Sequence, residues 1–281
     1  MLWKDSGRSA NLEDRRGMGG GAGMGIGGTA VLLILSLVFG HNFFNDVGTG
    51  TGAGVVTQSN GRLDPADSAR EEPEVHFVSS VFDDVQATWA KTLPQSGAQY
   101  HDAGIVLFRN ATNTGCGTGQ TGMGPFYCPL DQKVYIDLAF YEELKTKFAA
   151  AGDFAQAYVI AHELGHHVQH ILGTDRQVQT AAQRGGSAAN DMSVRLELQA
   201  DCYAGVWAHS TEQRRLLQAG DVDEALTAAA AVGDDRIQAR TTGRVNPENF
   251  THGSSAQRAS WFKRGLESGD PRACDTFGSG R

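Results

Sequence analysis

Residues 162–166 read His-Glu-Leu-Gly-His, a spacing that predicts a helix, because only there do the two histidines share one face. His162 and His166 can then direct two imidazole nitrogens at one zinc ion. Glu163, beside the first ligand, lies close to the metal without binding it and can act as a base towards water. Catalytic zinc sites use three protein ligands and leave one position open, so a third ligand is expected elsewhere in the chain.

The surrounding residues favour a buried catalytic helix over a polar surface helix with incidental histidines. Its apolar face is formed by Val159, Ile160, Leu164 and Val168. His166 and His170 have the same spacing, but residue 167 is His rather than Glu, so that pair has no base beside its first member. We therefore predict that His162 and His166 are ligands, and that His167 and His170 lie at the surface or around the ligands.

A second motif, Leu-Glu-Leu-Gln-Ala-Asp at 196–201, offers the third ligand. Glu197 and Asp201 are four apart, so on a helix they share a face. Two solvated acids on a surface helix would be the ordinary interpretation, but the apolar neighbours predict a buried helix, where unpaired carboxylates are costly. We predict that Glu197 binds zinc and that Asp201 accepts a hydrogen bond from a ligand imidazole.

The N-terminal quarter contains a long apolar segment. Residues 17–45 carry no Asp, Glu, Lys or Arg, and residues 26–44 have the length and composition of one transmembrane helix. Arg15 and Arg16 precede this segment and the next basic residue is Arg62, so the positive-inside rule predicts a cytoplasmic N-terminus and an extracytoplasmic domain at the bacterial cell membrane. A cleaved signal peptide is the alternative, although no Ala-x-Ala site is evident.

The predicted organisation follows from this segment. Residues 1–25 form a cytoplasmic tail and glycine-rich lead, 26–44 the transmembrane helix, 45–73 a linker and 74–281 the zinc domain. Strands are expected at 103–108 and 133–138, and helices at 74–92, 140–150, 153–172, 193–209, 212–218 and 221–240. Residues 115–129 and 174–190 are interpreted as loops. This pattern predicts an α+β fold that is mainly helical, with a small β-sheet.

The cysteines and the overall charge restrict the class of protein. Four cysteines in an exported domain indicate disulfides, and we favour Cys116 with Cys128 and Cys202 with Cys274 among the three possible connectivities. Zinc ligation by cysteine is the rival interpretation, but the chain has no Cys-x-x-Cys pair. The formal net charge of −8, without a polybasic cluster, argues against nucleic-acid binding.

The two motifs together carry a family resemblance. His162-Glu163-x-x-His166 followed by Glu197-x-x-Ala200-Asp201 resembles the gluzincins, particularly those of the prenyl-protein-protease type. The resemblance implies that a downstream histidine, with an arginine six residues later, stabilises the transition state. His252 and Arg258 have that spacing, although Gly253 replaces the usual proline. The resemblance thus implies that His252 donates to the developing oxyanion, whereas an ordinary loop histidine is the alternative.

The chain as a whole looks still more like the YpfJ-type neutral zinc metallopeptidases. The similarity covers residues 11–17, the glycine-rich lead, Gly-Pro-Phe-Tyr-Cys at 124–128, the two zinc motifs and residues 252–277. It implies a membrane-anchored, gluzincin-like domain. Our own prediction from the site residues is a zinc endopeptidase that acts on a peptide or protein substrate. The competing predictions are a non-catalytic zinc-binding envelope scaffold, and a zinc amidase that acts on cell-wall components.

Overall fold

The computed structural model describes residues 1–17, 65–146, 150, 152–182, 187–241 and 243–278. Its α-helices are α1 (Pro65–Thr92), α2 (Ala139–Thr146), α3 (Asp153–Leu172), α4 (Thr174–Ala182), α5 (Ser187–Gln213), α6 (Asp221–Ala231), α7 (Asp234–Thr241) and α8 (Ser255–Ser268). Its strands are β1 (Leu12–Asp14), β2 (Gly104–Phe108), β3 (Ala111–Thr114), β4 (Gly117–Gln120), β5 (Phe126–Cys128) and β6 (Lys133–Asp137). This architecture confirms the α+β class and the predominance of helix.

The main sheet has four strands in the order β1-β2-β6-β5. The strands β1, β2 and β6 run parallel, whereas β5 is antiparallel to β6 and ends the sheet. Residues 105–108 and 134–137 are buried, as expected for parallel strands whose two faces are covered. The strands β3 and β4 form a separate antiparallel hairpin.

Helix α3 lies in the core, and both of its ends are where the sequence predicts them. Fourteen of its residues are buried, including residues 162–165 of the first zinc motif, whereas His166 is half-buried. The helix ends at Gly173, whose φ of 75° and backbone N–H bonds to the carbonyls of Gln169 and His170 form the predicted left-handed cap.

Small residues allow the helices around the zinc motifs to approach closely. A Cβ added to Gly165 on α3 would lie 3.1 Å from the Ala200 backbone on α5. A Cβ on Gly265 of α8 would lie 1.9 Å from the Cys202 carbonyl oxygen, so α5 and α8 touch through their main chains. These contacts bring residues 197–201 beside residues 162–166, and bring α8 directly behind them.

Both cysteine pairings agree with the predicted connectivity. The Cys116–Cys128 disulfide closes the segment that contains β4 and β5, and Cys202–Cys274 joins α5 to the C-terminal 3-10 turn Pro271–Cys274. No cysteine is free, which removes cysteine as a zinc ligand. The regions interpreted as loops are partly regular, because 174–182 form α4 and 126–128 form β5.

The N-terminal residues differ from the predicted separate tail. Residues 12–14 form β1 and pair with Ile105, Val106 and Leu107 of β2, and α1 begins at Pro65 rather than at residue 74. Ion pairs between the two segments, including Arg16 with Glu71, accompany both differences. The predicted transmembrane segment at 26–44 lies outside the described residues. None of the helices described is long and apolar enough to cross a bilayer.

Candidate metal centre

His162, His166 and Glu197 come together at the crossing of α3 and α5. The Nε2 atom of His162 lies 3.2 Å from one carboxylate oxygen of Glu197, and that of His166 lies 3.5 Å from the other. Two ligands about 2.1 Å from a tetrahedral zinc ion are about 3.4 Å apart, so this spacing fits a single zinc ion. Two imidazoles and one carboxylate are also a donor set of catalytic zinc. All three residues therefore fit the predicted metal.

The other nitrogen of each histidine is held in place. His162 donates from Nδ1 to Asp201 at 2.9 Å, and His166 donates from Nδ1 to the Gln169 amide oxygen at 2.8 Å. Gln169 in turn donates to the Leu196 carbonyl oxygen on α5. Because the Nδ1 atoms are used in this way, both Nε2 atoms are left for the metal.

The charges of the ligands depend on one another. Burial acts to raise the pKa of Glu197, but the imidazoles of His166, His162 and His252 outweigh it and hold this pKa well below its usual range. Burial acts to lower the pKa of His162, but Asp201 and Glu197 outweigh it and raise this pKa to about 10. Without a metal ion, the pocket therefore favours the protonated, cationic form of the His162 imidazole. Binding of a metal ion at this residue would release that proton.

Glu163 is buried beside the first ligand and has the properties of a proton acceptor. Burial, to which the charge of Glu197 adds, raises the pKa of Glu163 to about 8. The backbone N–H of Tyr127 on β5 acts in the opposite direction and lowers this pKa. A carboxylate whose pKa is near neutrality can both accept and return a proton. A bound cation would lower the raised pKa of Glu163 towards its ordinary value.

The side chain of Arg258 is buried next to Asp201 and does not line a solvent-exposed surface of the site. Its side chain is 4% exposed, and it donates to Asp201 from Nε at 2.8 Å and from Nη2 at 3.0 Å. Tyr158 of α3 also donates to Asp201. Arg258 and Tyr158 thus hold the carboxylate that orients His162, so this geometry favours a positioning role for Arg258 over contact with an oxyanion.

His252 lies near the ligands on the loop before α8. Its charge contributes to the lowered pKa of Glu197, and its Nδ1 atom is 3.1 Å from Asp234. Asp234 also accepts the backbone N–H groups of Thr251, His252 and Gly253. This single carboxylate fixes the whole loop, which keeps His252 close to the site.

His167 and His170 take no part in the ligand set. His167 is fully buried, where it donates from Nε2 to the His101 carbonyl oxygen and accepts a hydrogen bond from the Tyr127 hydroxyl at Nδ1. Burial lowers the pKa of His167 to about 4, so the ring is neutral. His170 is part-exposed and pairs with Asp175. His167 therefore connects α3 to β5, the strand that reaches Glu163.

Sequence reasoning missed four groups that surround the site: Tyr127, Tyr158, Gln169 and Asp234. Gln169 and Tyr158 carry a signal, because each is three or four residues from a ligand on α3 and so shares its face. Asp234 carries none, and the only signal at Tyr127 is its place in the Gly-Pro-Phe-Tyr-Cys segment of the family resemblance. Both residues reach the site through loops and strands distant in sequence.

A second group of acidic residues could also hold a cation. Carboxylate oxygens of Asp153, Asp221 and Glu224 lie within 4.8 Å of one another. The α-ammonium group of Met1 already lies among them, 2.6 Å from Asp153 and 3.3 Å from Asp221. The chain itself thus supplies one positive charge to these three carboxylates.

Comparisons with known proteins agree with the geometry. Residues 1–277 match the family described as "Putative neutral zinc metallopeptidase". "Uncharacterized protein YpfJ" of Escherichia coli is 48% identical over 99% of each chain. "Uncharacterized protein Rv2575" of Mycobacterium tuberculosis is 48% identical over 69% of this chain and 67% of its own length. No solved structure matches significantly. The chain therefore belongs to this family.

Proposed function

We propose that this protein is a zinc-dependent metalloendopeptidase. The observation that carries the proposal is the convergence of His162, His166 and Glu197, with buried Glu163 beside them. Three protein ligands suit a catalytic zinc site, since a structural site would be closed by a fourth. Within the described residues, no further His, Cys, Asp or Glu joins this ligand group.

Each residue has a distinct task in the proposed reaction. Zinc would supply Lewis acidity, which polarises the substrate carbonyl and acidifies a water molecule. Glu163 accepts the proton of the attacking water and returns it to the leaving amine. Asp201, held by Arg258, keeps His162 in the tautomer that leaves Nε2 free for the metal. In this reaction His252 donates to the oxyanion.

The position of β5 supports a polypeptide substrate. This strand ends the four-stranded sheet, and the backbone N–H of Tyr127 acts on Glu163 and lowers the pKa of that carboxyl. The outer edge of β5 thus faces the proposed site. An extended peptide can add to such an edge through main-chain hydrogen bonds, which recognise peptides of many sequences. The Cys116–Cys128 disulfide holds this strand in place.

Two alternatives use the same residues. A non-catalytic zinc-binding scaffold would bind the metal but hydrolyse nothing, and a zinc amidase would cleave cell-wall amides rather than peptides in an extended chain. The free edge of β5 favours the endopeptidase over the amidase, and buried Glu163 beside the three ligands favours it over the scaffold.

The decisive experiment compares the wild-type protein with Glu163→Gln. The purified zinc-loaded full chain is incubated with a mixed peptide library, and separately with cell-wall fragments, with and without a chelator. We expect chelator-sensitive peptide cleavage by the wild type and a rate about 10²–10⁴-fold lower for Glu163→Gln, because the base is lost. Zinc content should stay the same.

Glu212→Gln is the matched control, because Glu212 is an exposed acid near the end of α5. It should leave both zinc content and activity unchanged. Undiminished peptidase activity in Glu163→Gln would refute the assignment of the base. A zinc-loaded wild type that cleaves only cell-wall fragments would favour the amidase, and one that cleaves neither substrate would favour the scaffold.

A further inference from the structure

We infer that the proposed peptidase cleaves its substrate near a lysine or arginine, whose side chain lies in a groove between the first turns of α5 and the loop that carries His252. The inference rests on the proposed function, because it names the substrate class of the same site. The groove has a volume of about 680 Å³, which is in the range of clefts that hold ligands in proteins.

The groove begins beside the candidate metal centre. Val194 of α5 lines it. A Cβ added to Gly253 would lie 3.2 Å from the side chain of Val194 and 3.3 Å from that of Leu198, so the loop contacts α5 on both sides of Glu197 in sequence. Because Gly253 follows His252, this end of the groove is next to both Glu197 and His252.

The groove extends from there by the length of a few substrate residues. Asn190 and Asp191 line it at the start of α5. A helix rises about 1.5 Å per residue, so Val194 is about 4.5 Å and Asp191 about 9 Å from Glu197 along the axis of α5. An extended peptide rises about 3.3 Å per residue, so a side chain in the groove belongs to a substrate residue within about three positions of the cleaved bond.

The lining of the groove suits an aliphatic chain that ends in a positive charge. Val194 and Phe250 are half-buried and offer apolar surface, against which methylene groups can pack. Asp191 on α5 and Glu248 on the 3-10 turn Pro247–Asn249 supply carboxylates, and both residues are exposed. None of the described residues that line the groove is Lys, Arg or His. Lysine and arginine side chains match this combination, whereas an acidic side chain would meet two like charges.

Both carboxylates are available to a ligand, and the two walls that bear them are joined. Within the described residues, neither the Asp191 nor the Glu248 side chain takes part in an ion pair or a hydrogen bond. The Asn190 side chain donates to the Glu248 carbonyl oxygen at 3.1 Å, which connects α5 to the turn. The groove therefore presents negative charge on both walls to a cationic group. The net charge of −8 favours the approach of basic peptides in the same sense.

Peptides that differ at a single position test the inference. The zinc-loaded full chain is incubated with decapeptides of Ala, Ser, Leu and Gly that carry one Lys, Arg, Gln or Glu at each position in turn, and mass spectrometry maps the cleaved bonds. We expect kcat/KM for the Lys and Arg peptides to exceed that for the Gln peptides about 10-fold, because two solvent-exposed ion pairs are gained. The basic residue should lie within about three positions of the cleaved bond. The Glu peptides should be the poorest substrates.

Variants of the two carboxylates assign this preference to the groove. Asp191→Asn with Glu248→Gln should abolish the preference for Lys over Gln, and Asp191→Lys with Glu248→Lys should turn it into a preference for Glu over Lys. The matched control is Glu212→Gln with Glu267→Gln, which removes the same charge at exposed positions outside the groove and should keep the wild-type preference. A preference for Lys that persists when both carboxylates of the groove are neutralised would show that another part of the chain recognises the basic residue.

A binding measurement separates this inference from the proposed function. Fluorescence anisotropy of labelled Lys and Gln peptides with zinc-loaded Glu163→Gln does not depend on hydrolysis, and we expect the Lys peptide to bind about 10-fold more tightly. If the wild type cleaves no peptide but this preference is observed, the peptidase proposal is wrong and the groove remains a site for basic side chains. If the wild type cleaves Lys and Gln peptides with equal kcat/KM, the inference is wrong and the peptidase proposal stands. If no peptide is cleaved and both bind equally, both are wrong.

Discussion

Two networks of charges join distant parts of this chain, and they differ in their access to water. Behind the zinc ligands, Asp201, Arg258 and His162 form a network whose side chains are at most 8% exposed. Where the N-terminal segment meets α1, Arg8 and Glu72 pair with side chains that are 40% and 32% exposed. The first network positions His162, a proposed metal ligand, whereas the second attaches a strand.

The difference in hydration predicts a difference in energy. Removing one partner of a buried ion pair leaves the other without a counter-charge and costs about 3–5 kcal/mol. Exposed pairs contribute about 0–1 kcal/mol, because water and salt screen them. We therefore expect the ligand region to depend on single side chains, and the N-terminal attachment to depend on many weak contacts and on the β1–β2 backbone bonds.

Asp201→Asn should give the largest effect on the buried network. We expect zinc affinity to fall about 10–100-fold, because His162 loses its carboxylate partner. The free energy of unfolding should fall by about 3–5 kcal/mol, because Arg258 remains buried without its counter-charge. Chelator competition measures the first effect and urea unfolding the second. Asp191→Asn, at an exposed position of the same helix, should change neither; equal behaviour of the two variants would contradict the comparison.

The two disulfides can be compared by how much each contributes to the free energy of unfolding. Their cysteines are 72 residues apart for Cys202–Cys274 and 12 apart for Cys116–Cys128. On loop closure alone, replacing the first pair by alanine should cost about 4 kcal/mol and the second about 3 kcal/mol. Urea unfolding of the two double variants gives both values. If the second pair cost more than the first, the Cys116–Cys128 disulfide would contribute more to the stability of the fold than loop closure predicts.

Glu74 on α1 should give a smaller, pH-dependent effect. Burial, together with the charge of Glu71, raises the pKa of Glu74 to about 7. Because the pKa is higher in the folded state, ionisation destabilises the fold: the penalty is absent below about pH 4, grows up to pH 7 and is complete above it. Glu74→Gln should therefore raise the melting temperature by roughly 2–4 °C at pH 8 and leave it unchanged near pH 4.

Glu72→Gln is the control of opposite sign. A hydrogen bond from Arg8 lowers the pKa of Glu72, so its ionised form stabilises the fold above the unfolded pKa and this contribution is lost as the pH falls. The variant should be slightly less stable than wild type at pH 8 and equal to it at low pH. If both variants shift the melting temperature in the same direction at pH 8, the assigned environments are wrong.

Sequence reasoning succeeded where the signal was local. The bounds of α3 and its Gly173 cap were predictable from spacing within a few residues, whereas the observed cysteine pairing was the favoured one of three that the sequence allows. It failed for β1, because Leu-Glu-Asp has no apolar alternation and its partner strand is about 90 residues away. It also failed for α4, whose polar composition resembles a loop.

The sequence by itself determined the chemistry of the site, because the four-residue spacings of His162 with His166 and of Glu197 with Asp201 place each pair on one helix face. Only the tertiary structure decided how these faces meet and what supports them. Arg258 proved to be a buried partner of Asp201, and the N-terminal residues proved to be a strand of the domain. Both outcomes depend on contacts between segments far apart in the chain, which local patterns of polarity do not encode.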